Sequence, residues 1–302
     1  MKTLRIGTRN SPLALWQARQ VETRLQALGL QTELVPVVSS GDKNLSQPLY
    51  ALGITGVFTR DLDVALVNGQ IDLAVHSLKD VPTALPHGML LAAVLERDWP
   101  QDVLIRRKEA EDLELHELKV ATSSLRRRAF WLNQYPEADF SDIRGNVQTR
   151  LRKLEEGVAD ATLLSLAGLN RMDMDVTYEE LPFMLPAPAQ GVIGVTAMEN
   201  NPDLLESLQQ ISHKETENCV NTERKFLQIL EGGCTAPIGA FAEMKGNEMR
   251  FQGRVCSLDG RNSISVDEIF DWHEPDTHGK MLAELLLNNG GREVITEIRT
   301  RL

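Results

Sequence analysis

Cysteines, aromatic residues and long apolar runs are all scarce in this 302-residue chain, and each scarcity removes a class of protein. Three cysteines (Cys219, Cys234 and Cys256) are too few and too widely spaced for a disulfide framework or a recognisable zinc site. None of the six histidines has metal-ligand spacing, so no metal is expected. Aromatic residues make up only 5% and the net charge is −11, which argues against nucleic acid and acidic membranes as partners. No apolar run approaches the ~20 residues needed to cross a bilayer. The opening Met1-Lys2-Thr3-Leu4-Arg5-Ile6-Gly7 meets charge at once and reads as a first strand, not a signal peptide. There is no Walker A lysine loop, no dinucleotide glycine pattern and no solenoid repeat. The expected compartment is cytoplasmic and reducing.

What is present is ordinary globular material, 42% hydrophobic and 25% charged, long enough for two or three domains. The first part alternates strand and helix. A strand over Leu4–Thr8 leads to Ser11 as helix cap and Pro12 at the first helical position. The helix runs to about Gly29, a strand covers Glu33–Val38, a polar loop follows from Ser39, and a helix passes through Val57, Phe58, Leu62, Ala65 and Leu66 to end near Asn68-Gly69. A strand over Ile71–Val75 closes the unit, which implies a parallel sheet with right-handed crossovers. The pattern restarts after an acidic stretch at Glu109–Glu117. Strands are expected over Val120–Thr122, ending at Asp142–Arg144, and over Ala161–Leu166, with helices over Leu125–Asn133 and after Gly145-Asn146-Val147. From Glu215 the character changes to a helix over Asn218–Leu230, alternating strands around Ala240–Ala242, Met249–Gly253 and Ser263–Val266, and a last helix over Gly279–Asn288. The fold class expected is α/β: two domains resembling the two-lobed layout of periplasmic binding proteins around a cleft, plus a small C-terminal α+β domain.

Four features carry chemistry. The stretch Ile71–Val81 is an apolar strand ending in a turn that presents Lys79 and Asp80 side by side before Pro82, and ligands in open α/β sheets bind beyond such strand ends. Two strand-to-helix turns, Thr8-Arg9-Asn10-Ser11 and Thr122-Ser123-Ser124-Leu125-Arg126-Arg127, combine hydroxyls, backbone N–H groups and guanidinium at a helix start, which suits an anion. Between Lys119 and Lys153 eight cations face three anions, a basic island in an acidic protein. Cys234 sits in the glycine-flanked loop Gly232-Gly233-Cys234, accessible enough for covalent chemistry, whereas Cys219 and Cys256 read as buried small hydrophobes. These residues alone leave three readings open: an enzyme handling a polyanion, a two-lobed anion receptor with an appended domain, and a thiol-nucleophile transferase acting on a phosphorylated substrate.

Taken in order, Arg5–Gln17, His76–Pro82, Thr122–Arg127, Arg144–Arg150, Ala167-Gly168-Leu169, Gln190-Gly191 and Glu231–Cys234 resemble the porphobilinogen deaminase (hydroxymethylbilane synthase) family over nearly the whole chain. The resemblance implies a transferase of porphyrin and heme biosynthesis. It would condense four porphobilinogens head to tail on a covalent dipyrromethane cofactor, losing ammonia each time, and release the linear tetrapyrrole by hydrolysis. It implies Asp80 as the catalytic carboxylate. Cys234 would carry the cofactor through a thioether, held by Lys79, Ser77, Ser124, Arg126, Arg127 and Arg150. Arg9, Ser11, Gln17, Thr122, Ser123, Arg144, Asn146, Arg171 and Gln190 would hold substrate or growing chain. The implied domains are 1–97 with 191–212, then 98–190, then a C-terminal cofactor-attachment domain over 213–302, acting as a monomer. The chain departs from the family at Ser39–Asp42, which has serine where arginine is common, at Gly53–Gly56, which lacks a lysine, and at Val195-Thr196, which lacks an acidic residue. Lys43 and Arg60 are the nearby cations that could stand in.

Overall fold

The computed structural model describes residues 3–38, 59–230 and 236–301. The expectations for Ser39–Asp42, Lys43, Gly53–Gly56, Val57, Phe58 and Cys234 therefore lie outside the described residues. In chain order the strands are β1 (Leu4–Arg9), β2 (Thr32–Val37), β3 (Leu73–Ser77), β4 (Met89–Val94), β5 (Asp102–Arg106), β6 (Val120–Ala121) and β7 (Phe140–Ser141). There follow β8 (Ala161–Ser165), β9 (Glu179–Glu180), β10 (Ile193–Met198), β11 (Ile238–Lys245), β12 (Glu248–Cys256) and β13 (Ser263–Asp271). The chain divides into two units, the first holding the described parts of 1–44, 54–98 and 191–217, the second those of 45–53, 99–190 and 218–302.

The first unit is built on one five-stranded sheet in the order β2-β1-β3-β10-β4. β1 runs parallel to β2 and β3, as the strand–helix alternation predicts. β10 is antiparallel to both β3 and β4, so the sheet is mixed and not wholly parallel. Alternation along β3 sorts its side chains between two layers. Leu73 and Val75 pack with Ala18, Val21 and Leu25 of helix Pro12–Ala27 and with Leu204 and Leu208 of helix Pro202–Ile211. Ala74 faces the other way, against Leu62, Ala65 and Leu66 of helix Arg60–Val67. Ser11 caps the first helix as expected, its Oγ accepting from the Ala14 N–H at 3.3 Å, with Pro12 in the first turn.

The second unit repeats the plan and adds a domain. Its five-stranded sheet has the order β7-β6-β8-β5-β9. β6 is parallel to β7 and β8, while β5 is antiparallel to β8 and β9. Leu104 and Leu163 join Ala129, Phe130 and Trp131 of helix Leu125–Gln134 on one face. Val103, Ile105 and Leu164 meet Leu151, Leu154 and Leu169 on the other. The remaining sheet, β11-β12-β13, is antiparallel and covered by helices Pro275–Leu286 and Arg292–Arg301, with Phe226 and Phe251 edge to face at 5.0 Å beneath. The class expected from the sequence, two α/β sheets and a small C-terminal α+β domain, is what the chain adopts.

Several elements depart from expectation. The strand expected over Ile71–Val75 runs two residues later, Leu73–Ser77, and the one expected to end at Asp142–Arg144 stops at Ser141. β4, β5, helix Pro202–Ile211 and helix Arg292–Arg301 are additional. One packing detail bears directly on the site. β10 places Gly194 opposite His76, and a methyl on Gly194 would lie 2.8 Å from Leu78 Cδ1 and 3.3 Å from Leu78 Cβ. Gly194→Ala is therefore expected to cost about 1–3 kcal/mol by overpacking. It should also displace the turn after β3, so urea denaturation and turnover should both report the change; an unaltered midpoint would refute this packing.

Candidate active site

In the first unit the site grows from the C-terminal end of β3. Ser77 is the last strand residue, and Leu78–Asp80 form a single 3₁₀ turn. Leu78 is buried completely, and its N–H donates to the Val192 carbonyl at 2.9 Å. The turn closes with the Val81 N–H donating to the Leu78 carbonyl at 3.1 Å. With Leu78 driven inward, Lys79 and Asp80 are left half-buried on the turn, before Val81 goes back into the core. Ser77 and the buried Gln17 exchange hydrogen bonds, Gln17 Nε2 donating to Ser77 Oγ at 2.9 Å and Ser77 Oγ lying 3.2 Å from Gln17 Oε1. Arg9 ends β1, and Ser11 follows it as helix cap. Thr8 is buried beneath them, donating to the Ala14 carbonyl at 3.0 Å. Arg9, Ser11, Gln17, Ser77, Lys79 and Asp80 thus belong to the ends of neighbouring strands β1 and β3 and the helix that follows β1.

His76 lies under this turn, its Nε2 3.1 Å from Thr196 Oγ1. Burial, reinforced by the nearby Arg9 charge, lowers its pKa to about 4. The ring is neutral at pH 7, and it braces β3 against β10.

In the second unit the loops after β6 and β7 are sewn together. Ser123 Oγ donates to the Ile143 carbonyl at 2.9 Å and accepts from the Ile143 N–H at 3.1 Å. Thr122 is buried, its Oγ1 accepting from the Ser124 N–H at 3.2 Å. Ser124 caps helix Leu125–Gln134 by accepting from Arg127 N–H, and Asn146 caps helix Val147–Glu155 by accepting from Thr149 N–H at 2.8 Å. Arg150 Nε donates to the Gly145 carbonyl at 2.9 Å and Lys153 Nζ to the Arg144 carbonyl at 3.1 Å, so the cations wrap the loop that carries Arg144 and Asn146. Gly145 takes φ +122°, a conformation glycine adopts without strain. Arg171 is buried at the end of helix Leu166–Arg171.

Arg126 and Arg127 are the least expected. Both are only 6% exposed, and both pair with Asp102 at the start of β5. Arg127 donates from Nε and Nη2 to Asp102 Oδ1 at 3.1 and 2.7 Å, and from Nη1 to the Leu163 carbonyl at 2.7 Å. Arg126 Nη2 lies 2.6 Å from Asp102 Oδ2, an ion pair not aligned as a hydrogen bond, and its Nη1 donates to the Leu185 carbonyl at 2.6 Å. Burial lowers the Arg126 pKa, opposed by Asp102 and reinforced by Arg127. Gln190, buried, donates from Nε2 to Asp102 Oδ1 at 2.9 Å and to the Pro100 carbonyl at 2.7 Å. Asp102 did not emerge from the sequence. The available signal was an acidic residue opening the apolar run Val103-Leu104-Ile105. Cys219 and Cys256 are buried as expected, and burial raises the Cys256 thiol to about 11, which makes it a poor nucleophile.

The donor chemistry suits a polycarboxylate. Guanidiniums present five N–H groups each, and among the described residues Arg127 commits three of them to protein acceptors. Among the described residues no helix is long and apolar enough to cross a membrane, and no His, Cys, Asp and Glu cluster could hold a metal.

Comparison with known proteins agrees with this chemistry. Residues 4–206 match the family model described as porphobilinogen deaminase, dipyromethane cofactor binding domain, and residues 217–288 match its C-terminal domain. A porphobilinogen deaminase of Desulfitobacterium hafniense is 41% identical over 311 residues, covering 100% of this chain and 99% of that one. One from Syntrophomonas wolfei is 39% identical over 305 residues, covering 99% and 100%. Among solved structures, an ancestral cationic amino acid solute binding protein is similar at 17% identity and TM-score 0.46, over 69% of this chain and 87% of that one. A likeness that loose adds nothing to the assignment. The sequence matches define a transferase of tetrapyrrole biosynthesis. The chain belongs to the porphobilinogen deaminase family.

The buried His76 sets an acid limit. Above pH 6.5 the ring is neutral in folded and unfolded chains alike and contributes no pH dependence. Between 6.5 and about 4 the unfolded chain takes up a proton that the folded chain refuses, so stability falls as pH falls. The expected loss is about 3 kcal/mol, and His76→Gln should remove that part of the slope. Urea midpoints of both proteins from pH 8 to pH 4 measure it; parallel curves would show that His76 is not the titrating group.

Proposed function

We propose that this chain condenses four porphobilinogens head to tail, releases ammonia at each addition, and frees hydroxymethylbilane by hydrolysis. The observation that carries the reading is the anchored Leu78–Asp80 turn, which holds a carboxylate and an ammonium side by side at a strand end. The bound dipyrromethane supplies the primer to which substrate is joined. Cys234 attaches it through a thioether.

Each pyrrole carries an acetate and a propionate, so cofactor and product are polyanions. Lys79, Ser77, Ser124, Arg126, Arg127 and Arg150 hold the cofactor's carboxylates. Arg9, Ser11, Gln17, Thr122, Ser123, Arg144, Asn146, Arg171 and Gln190 serve the incoming substrate and the growing chain. Loss of ammonia from porphobilinogen leaves an electron-poor ring whose nitrogen gains positive character. The Asp80 carboxylate stabilises that charge by accepting from pyrrole N–H groups, and it takes and returns protons as bonds form and break. Lys79 beside it binds carboxylate and balances the charge of Asp80. Three domains divide the work, 1–97 with 191–212, 98–190, and 213–302. The chain works as a cytoplasmic monomer on a small molecule.

Intact mass of the purified protein, followed by peptide mapping around Cys234, tests the reading. An excess of one dipyrromethane unit localised to Cys234 is expected. A chain that gains no mass even after incubation with porphobilinogen would turn the assignment toward an anion receptor. Asp80→Asn should lower turnover on the order of 100- to 1,000-fold while the protein keeps its fold and the attached cofactor. A near-normal rate in that variant would remove Asp80 from the chemistry.

A further inference from the structure

Asp102 is a fully buried carboxylate that the reaction chemistry above does not use. It opens β5, inside the second sheet, and its side chain has 0% exposure. Among the described residues, three side chains meet it: Arg127 through two N–H groups, Arg126 at 2.6 Å, and the Gln190 amide at 2.9 Å. We propose that Asp102 is the positioning residue of the Arg126–Arg127 anion subsite, holding both guanidiniums in place and tying them, through Gln190, to the segments where the chain passes between its units. The proposal rests on the reading that these two arginines bind cofactor carboxylates.

Charge balance supports it. Two guanidiniums buried side by side repel each other and forfeit hydration, and neither would stay in place without an anion. Among the three groups in direct contact, one carboxylate against two guanidiniums leaves a single net positive charge, which favours an external carboxylate. Geometry supports it as well. Asp102 Oδ1 takes Nε and one Nη2 hydrogen of Arg127, and the Leu163 carbonyl takes one from Nη1, which fixes the plane of the guanidinium and directs its remaining donors. Gln190 supplies the link to the chain crossings. The chain leaves the first unit at Asp98–Trp99 and returns at Gln190–Gly191. Gln190 Nε2 bonds both the Pro100 carbonyl of the outgoing segment and the carboxylate that holds the arginines. Stability alone does not account for such a cluster, because buried ion pairs gain little over apolar residues of the same volume.

The test uses the full-length chain prepared without its primer, incubated with porphobilinogen over a range of concentrations and weighed intact. It reads the concentration giving half loading and the plateau. Wild-type protein gains one dipyrromethane unit; if it gains nothing, the deaminase reading falls on its own, whatever Asp102 does. Asp102→Asn, which removes the charge at constant shape, should raise the half-loading concentration about tenfold or more, with the folded fraction still reaching the wild-type plateau. A residue serving stability only would lower the melting temperature and the plateau and leave the half-loading concentration where it was. A folded Asp102→Asn protein that loads at the wild-type concentration overturns the proposal. Should that variant not fold, Asp102→Glu decides by the same criterion. It keeps the charge and moves the carboxylate by one methylene, so a raised half-loading concentration supports the proposal and an unchanged one overturns it.

Discussion

Burying like charges next to each other is the constraint on which the second unit depends. Arg126 and Arg127 follow each other in the first turn of a helix, and both side chains go inward. An exposed pair of arginines would be held loosely by water and salt. A buried pair needs a counter-ion at fixed distance, and the chain supplies it from the middle of its sheet, not from a loop. That choice has a consequence for topology. β5 must enter the sheet with a charged residue at its first position, so the strand has to lie beside β8, whose Ser165 is the register partner of Asp102. The ion cluster and the strand order are one arrangement.

The first unit solves a simpler problem by apolar means. Lys79 and Asp80 are both polar and half-exposed. Their position is set by the residues on either side. Leu78 and Val81 are buried, Gly194 leaves room for Leu78, and the neutral His76 joins β3 to β10. Placing Lys79 and Asp80 between two buried apolar residues gives the turn that carries them a fixed direction. Preorganised groups of this kind are worth most where charge develops during a reaction.

Local chemistry was the legible part of the sequence. Ser11, Ser124 and Asn146 each precede a helix and accept from the N–H three residues on, a short-range rule that needs no tertiary information. Alternation of strand and helix disclosed the α/β class for the same reason. Strand direction was not legible: nothing in Ile193–Met198 distinguishes a parallel from an antiparallel neighbour, and the chain reaches β10 only after the whole of the second sheet. β5 was hidden by the residue that matters most in it, since an aspartate at the head of an apolar run reads as the edge of a loop until its partners, 24 and more residues away, are known. The candidate site divides along the same line. The Lys79–Asp80 turn and the arginine-bearing helix starts could be picked out from contiguous residues; the hub that joins Arg126, Arg127 and Gln190 could not.

The acidic character of the chain and its basic island are compatible because electrostatics acts on two length scales. At the surface, opposing charges are separated by solvent and screened within about 8 Å at physiological salt, so a net charge of −11 does not reach far into the protein. Inside, where the effective dielectric is lower, a guanidinium a few ångströms from a carboxylate outweighs many distant surface anions. A chain that must hold a lengthening polyanion and yet release it gains from this separation. Asp102 offsets part of the island's charge from within.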